Sequence, residues 1–528
     1  MIQLDSRPDH ARQQNQTDDC GVVGGGGGGG GEATAFDPYA MPADAVQEPP
    51  ATLIAALRKI GPGIVLAGSI IGSGELLLTT ALGAQYGFLF LWLILFSCVI
   101  KVFVQVELGR YAISSGKPTL GAINELPGPR LGAHWLVWWW LIMMLASVAQ
   151  LGAMAGGVGQ ALHLAFPRGA PWLADVLHRA TPAIAQVVRA RPEYPWAIAT
   201  SVAAVLLLLS GGYRRIERIT TAMVAAITAI TVMCVAALPA TGYPIRSSDL
   251  ASGLTPQLIG LPAIAIAAAF ATFGLTGVGA TELYAYPYWC LEKGYARFAG
   301  RRDESDAWAR RARGWVRVMN LDAWVSMVVF TVATVCFYFL GATVLHRQQL
   351  NPKGSDMIAT LSQMYVPMFG SWTKVLFLAG AWAVLFKTLY VSVAAHSRMT
   401  ADFLQLGGFV RYRDSQARGR SIRVLCVAFP FGAMLLYLLF GEPRAMVIFG
   451  GFFQGITLPV IAAIAVYFRY RRCDPRLAPS RFFGVWLWIA LLSITAVAVY
   501  ATWDRLTNTI LPGLMRLIGG GGGGGGGG

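Results

Sequence analysis

Gly72-Ser73-Gly74-Glu75-Leu76 interrupts one long apolar segment of this chain, and Gly279-Ala280-Thr281-Glu282-Leu283 interrupts another 207 residues later. Each places helix-weakening glycine and a carboxylate in the middle of a stretch long enough to cross a bilayer. An ionisable group at that depth is costly and marks function by default. Broken helices at matching positions of two halves are how inverted-repeat transporters build a site near the membrane midplane. The two stretches therefore point to a transporter and to the place of its site. Gly72, Ser73, Glu75, Ala280, Thr281, Glu282 and Leu283 are the candidate binding residues, with Glu75 and Glu282 as candidate metal ligands.

Working outward, the composition agrees. Of 528 residues 55% are apolar and only 13% are charged, which is the balance of an all-α integral membrane protein rather than a soluble domain. The apolar pattern predicts eleven spans, at 60–87, 88–111, 133–163, 195–211, 217–239, 259–290, 316–343, 372–400, 422–440, 444–468 and 483–503. The net charge of +15 invites a nucleic-acid reading, which its distribution rejects. With the N-terminus inside, 29 Lys and Arg fall on the inner side, 11 fall outside, and Lys101 and Lys387 lie within spans. That asymmetry is the positive-inside rule, and it predicts a multi-pass plasma-membrane protein with the N-terminus inside and the C-terminus outside. The loop carrying Arg168, Arg179, Arg189 and Arg191 falls outside despite its charge, and Pro171 to Arg191 reads as one short amphipathic helix on the surface. Seven scattered cysteines include no CxxC pair and read as small buried residues. Residues 1–57 read as a disordered cytoplasmic segment, 58–505 as the transmembrane domain and 506–528 as a short tail, and both ends carry runs of glycine.

Around the first break the chain reads Gly61-Pro62-Gly63, then Gly72-Ser73-Gly74-Glu75, then Gly83-Ala84-Gln85-Tyr86-Gly87. The next span ends Val104-Gln105-Val106-Glu107-Leu108-Gly109, followed by Ser114-Ser115-Gly116. These stretches, with Gly279-Ala280-Thr281 in the sixth span, resemble the Nramp family of divalent-metal transporters over about 60–470. The resemblance implies the LeuT-type fold: two inverted five-span repeats plus one extra span, working by alternating access. It also exposes departures. The family's Asp-Pro-Gly-Asn signature has Gly72 in place of its metal-binding Asp and Glu75 in place of its Asn. Its backbone-donating Ala is kept as Ala280, but its Met ligand is replaced by Leu283 and the following Pro-His by Tyr284-Ala285. The third span has no acid, leaving Gln150 as its polar candidate, and the tenth has Gly451 at the Gln position with Gln454 close by.

The remaining chemistry is oxygen chemistry. Glu75 and Glu282, helped by carbonyls freed at Ile70, Ile71 and Ala280, would form an all-oxygen site suited to a hard cation such as Mg²⁺. Lys387, mid-span in the eighth helix, needs a partner at that depth, and Glu75 or Glu282 is the obvious one. An ammonium there would replace a bound sodium or carry a coupled proton. Two carboxylates against one ammonium leave −1, which suits a proton, a monovalent cation or a zwitterion better than a desolvated divalent ion. Lys101 reads as a snorkelling residue. Tyr284 and Tyr286 are candidates for a substrate wall. Three functions stay open: a carrier of a hard divalent cation with or without protons, the same scaffold carrying a non-metal small solute or monovalent cation, and a non-transporting sensor or channel. No GxxxxGK[ST] loop occurs and no nucleophile–base set stands out, so no enzyme, cofactor or nucleotide is called for.

Overall fold

In lipid every backbone N–H and C=O must find a partner within the protein, so an apolar chain of this kind resolves into helices. The computed structural model describes residues 38–505 and 507, apart from 40, 73, 212, 258, 259, 353–356, 365–372 and 506. Both glycine runs and Ser73 therefore lie outside the described residues. The bundle consists of α1 (Pro62–Ile70) and α2 (Gly74–Tyr86), which are bent by 43° at their junction, α3 (Leu91–Ser115), α4 (Trp135–Ala165), α5 (Tyr194–Leu209) and α6 (Tyr213–Ala240). It continues through α7 (Ala263–Leu275) and α8 (Ala280–Lys293). The remaining helices are α9 (Asp306–Leu345), α10 (Phe377–Leu406), α11 (Ser415–Phe440), α12 (Pro443–Arg471) and α13 (Arg481–Trp503). Nine described helices are long and apolar enough to cross a membrane, or eleven when each bent pair counts as one span, in line with the eleven expected. The described strands are a two-residue ladder, Arg130–Leu131 against Ala133–His134.

Local chemistry sets the boundaries. Pro62 and Pro443 open α1 and α12, where their missing N–H costs nothing. Ser305 and Asp414 cap α9 and α11 by accepting the N–H groups of Trp308 and Ala417. Gly116 ends α3 in the left-handed region at φ 69°, which glycine reaches without strain. The surface stretch expected as one amphipathic helix is two, Gly169–His178 and Pro182–Ala190. Pro182 cannot continue the first helix and instead starts the second. Within the segment expected to be disordered, Tyr39 and Gln47 are tied to the bundle: the Tyr39 hydroxyl donates to Asp402 at 2.9 Å, and Trp315 Nε1 donates to the Gln47 carbonyl at 2.9 Å. At the end carrying the basic loops, Arg302 and Arg476 flank Asp474 at 3.0 and 2.9 Å. The Arg476 hydrogen bonds hold that carboxyl below the usual range.

The site is positioned by tight contact between α2 and α9. A methyl group on Gly341 would sit 2.3 Å from the Thr80 carbonyl oxygen, and one on Gly83 would sit 2.6 Å from that of Tyr338. Both obstacles are backbone, which cannot rotate away. Gly341→Ala is therefore expected to cost about 1–3 kcal/mol through forced separation of the two helices. A melting curve in detergent checks this, and an unchanged midpoint would show that the interface yields without penalty.

Candidate functional site

Glycine makes both breaks. The first break falls between the end of α1 at Ile70 and the start of α2 at Gly74, and 276–279 separate α7 from α8. Gly277 takes φ 72°, and a methyl group there would approach the Cα of Cys98 to 3.1 Å, so the position accepts little but glycine. Each break is followed by a first turn bearing an acid, Glu75 in α2 and Glu282 in α8, where the helix dipole favours negative charge.

Glu75 is fully buried and joins the two breaks. One carboxylate oxygen accepts the N–H of Gly72 and the other that of Gly277, both at 3.2 Å. Thr79 and Thr276 add a hydroxyl contact at 3.0 Å between the same two segments. Glu282 is half-buried and folds back on its own helix start: a methyl group on Gly279 would meet its Oε2 at 2.5 Å and Gln454 Oε1 at 2.8 Å. The Ser69 hydroxyl faces the same carboxyl. Gln454 donates to Gln150 at 2.6 Å, so the polar candidates of the third and tenth spans meet each other beside Glu282.

The lysines depart from expectation. Lys387 pairs with neither acid; among the described residues no carboxylate oxygen lies within 4.0 Å of it. Its ammonium instead donates to the carbonyls of Gly68 and Ile71 at the end of α1 and lies 3.5 Å from Thr388 Oγ1. The Ile71 carbonyl expected to be free for a cation is therefore occupied. Ala280 also differs: it begins α8 rather than lying in the unwound residues. Lys101 does not snorkel. It is fully buried and donates to the carbonyls of Phe273, Gly274 and Thr276 at 2.5, 3.3 and 2.8 Å, over the Phe273 ring. The Ser97 hydroxyl lies 3.0 Å from two of the same carbonyls, those of Phe273 and Thr276, with one proton to donate to either. Each unwound helix end, with its orphan carbonyls and negative dipole, thus has its own ammonium. The role of Lys101 is what the sequence reading missed: it placed the residue within a span but read it as snorkelling, although a lone Lys in the apolar run 91–106 was the signal for more.

Of the other candidates, Thr281 is buried with its hydroxyl unpaired among the described residues, and Leu283 is fully buried. Tyr286 turns its hydroxyl to Asp322 of α9 at 3.1 Å, and Tyr284 is buried with its hydroxyl unpaired among the described residues. Asp322 was also missed. It accepts the N–H groups of Gly61 and Gly63 at 2.8 and 2.6 Å, capping the start of α1 from α9. Near it Lys293 pairs with Glu217 and Arg398 with Glu292, each at 2.5 Å. These contacts lock the end that carries the basic loops. From the opposite end, a cavity of about 340 Å³ bounded by Gln85, Arg444 and Phe452 reaches Gly274 and Leu275, the last residues before the second break.

Paired breaks with buried charges, locked at one end and approached by a cavity from the other, define a helical membrane transporter. The chain belongs to the Nramp family (Natural resistance-associated macrophage protein-like), whose family model it matches over residues 63–504. It is a transporter and not an enzyme. It is similar to the "Divalent metal cation transporter MntH" of Deinococcus radiodurans, 24% identical over 458 residues, covering 85% of this chain and 90% of that protein. A second similarity, to the protein of the same description from Levilactobacillus brevis, is 26% over 168 residues, covering 32% of this chain and 31% of that one. Among solved structures, an Eremococcus coleocola manganese transporter superposes with TM-score 0.62 at 16% identity, over 90% of this chain and 94% of that one. The fold is the LeuT-type fold that the resemblance implies.

Proposed function

We propose that the chain carries a hard divalent cation across the plasma membrane by alternating access, with the N-terminus inside, the C-terminus outside, and Glu75 and Glu282 as the cation's ligands. The observation that carries this reading is Glu75. It is a fully buried carboxylate that bridges both breaks, so a cation arriving there would couple the two half-helices that must move. Each of its oxygens retains lone-pair capacity beyond the one N–H it accepts. Family membership and the metal named for the relatives support the class of cargo. With Leu283 at the Met position, the site leans toward Mg²⁺ rather than softer ions.

A second reading, a non-metal solute or a monovalent cation as cargo, has its own observation. Lys101 and Lys387 balance Glu75 and Glu282, leaving the breaks without net charge, and no group of three or more His, Cys, Asp or Glu among the described residues is arranged to hold a metal. A thermal-shift titration of the purified protein with Mg²⁺, Mn²⁺ and Ca²⁺ separates the two, because a ligand of the native state must raise its stability. The divalent reading expects a saturable rise with Mg²⁺ or Mn²⁺ that Glu75→Gln removes. No rise with any of the three overturns it in favour of the second, and amines, amino acids and small anions would then be screened.

A further inference from the structure

An ammonium has three N–H donors and no lone pair. Lys387 directs them to the carbonyls of Gly68, at 2.8 Å, and Ile71, and toward Thr388 Oγ1. Thr388 donates its own proton to the Val384 carbonyl at 2.9 Å, one helical turn back, which leaves its lone pairs facing the same point. Thr388 Oγ1 also lies 3.2 and 3.3 Å from the Gly68 and Ile71 oxygens. The hydroxyl has one proton, so it satisfies one carbonyl at a time, and the oxygens it leaves face the Lys387 ammonium, which supplies the remaining donors. Two of these oxygens are carbonyls at the negative end of a half-helix, the arrangement that unwound transporter helices offer to small cations. The pocket is also closed from the side. A methyl group on Gly72 would lie 2.4 Å from Thr388 Oγ1, so the residue that interrupts α1 must be small for Thr388 to reach the carbonyls.

We propose that Gly68 O, Ile71 O and Thr388 Oγ1 form a pocket for a monovalent cation that the protein fills permanently with the Lys387 ammonium. The tethered charge completes the end of α1 and cannot leave with the cargo. The transporter therefore needs no sodium or potassium at this point, and no gradient of such an ion is coupled through it. The inference is independent of what Glu75 and Glu282 carry, since it concerns different atoms.

The test compares the full-length protein with Lys387→Ala and Lys387→Ala/Thr388→Val. Melting is followed in sodium, potassium, lithium and choline chloride at equal ionic strength. The wild type is expected to melt at the same temperature in all four, apart from any rise that Glu75→Gln/Glu282→Gln removes. Lys387→Ala, with the pocket open, is expected to melt lower in choline and to recover by about 2 °C or more as one small cation rises to saturation. The double variant, lacking one oxygen, is expected not to recover. A saturable, cation-specific rise in the wild type that persists in Glu75→Gln/Glu282→Gln would overturn the proposal, as would a well-folded Lys387→Ala that ignores every cation. Should Lys387→Ala be too unstable to melt, the yield of monodisperse protein becomes the readout. Rescue by sodium or potassium over choline supports the pocket, and equal loss in every salt overturns it.

Discussion

Glu75→Gln/Glu282→Gln is expected to reduce uptake into proteoliposomes to the background of empty vesicles, at least ~100-fold, while the protein still folds. The substitutions keep the volume and remove both negative charges from the breaks. At position 75 the amide oxygen can still accept one of the two N–H groups, from Gly72 or Gly277, while its NH₂ opposes the other. That mismatch costs about 1–3 kcal/mol, the penalty of one unsatisfied buried donor. Lys101 keeps three carbonyl acceptors, and Lys387 keeps two and the Thr388 hydroxyl, so neither ammonium is left bare. Uptake of manganese and magnesium and a melting curve are measured on the same preparation. Wild-type flux in a folded double variant would remove these two acids from the site, whatever the cargo.

Asp322→Ala is expected to be the most damaging single change, at about 2–6 kcal/mol, from about 1–3 kcal/mol for each of the two buried N–H groups it leaves without an acceptor. The carboxylate is fully buried and receives three donors: two N–H groups at the start of α1 and the Tyr286 hydroxyl from α8. Its removal orphans the two N–H groups at the point where α1, α8 and α9 meet and leaves the Tyr286 hydroxyl only the longer bond to the Met319 carbonyl, at 3.3 Å. Asp322→Asn, which keeps one acceptor, is expected to lie between wild type and Ala. The melting midpoint reads the cost. If Asp322→Ala melts within a degree of wild type, the start of α1 is held by something else, with Lys293–Glu217 the next contact to break.

Most of the architecture was legible in one dimension. Span number follows from uninterrupted apolar length, which the bilayer imposes on each segment separately. The two breaks follow from glycine, whose conformational cost is local. The acids in the first turns were legible for the same reason: Glu75 and Glu282 each stand three residues past a glycine of the break, Gly72 and Gly279. The surface stretch from Pro171 to Arg191 was misread because its amphipathic pattern continues across a proline that ends one helix and begins another.

What the sequence by itself determined is therefore the class: a polytopic helical transporter with a broken, charged centre. What only the tertiary structure decided is how that charge is distributed. Lys387 looked like a partner for an acid because opposite charges pair when nothing else is known. In the folded protein it is held instead by the carbonyls of Gly68 and Ile71, and Lys101 is held by those of Phe273, Gly274 and Thr276. Sequence spells side chains, whereas these partners are backbone oxygens. They become acceptors only where a helix stops, and they meet an ammonium from another helix only after α1 has packed on α10 and α7 on α3.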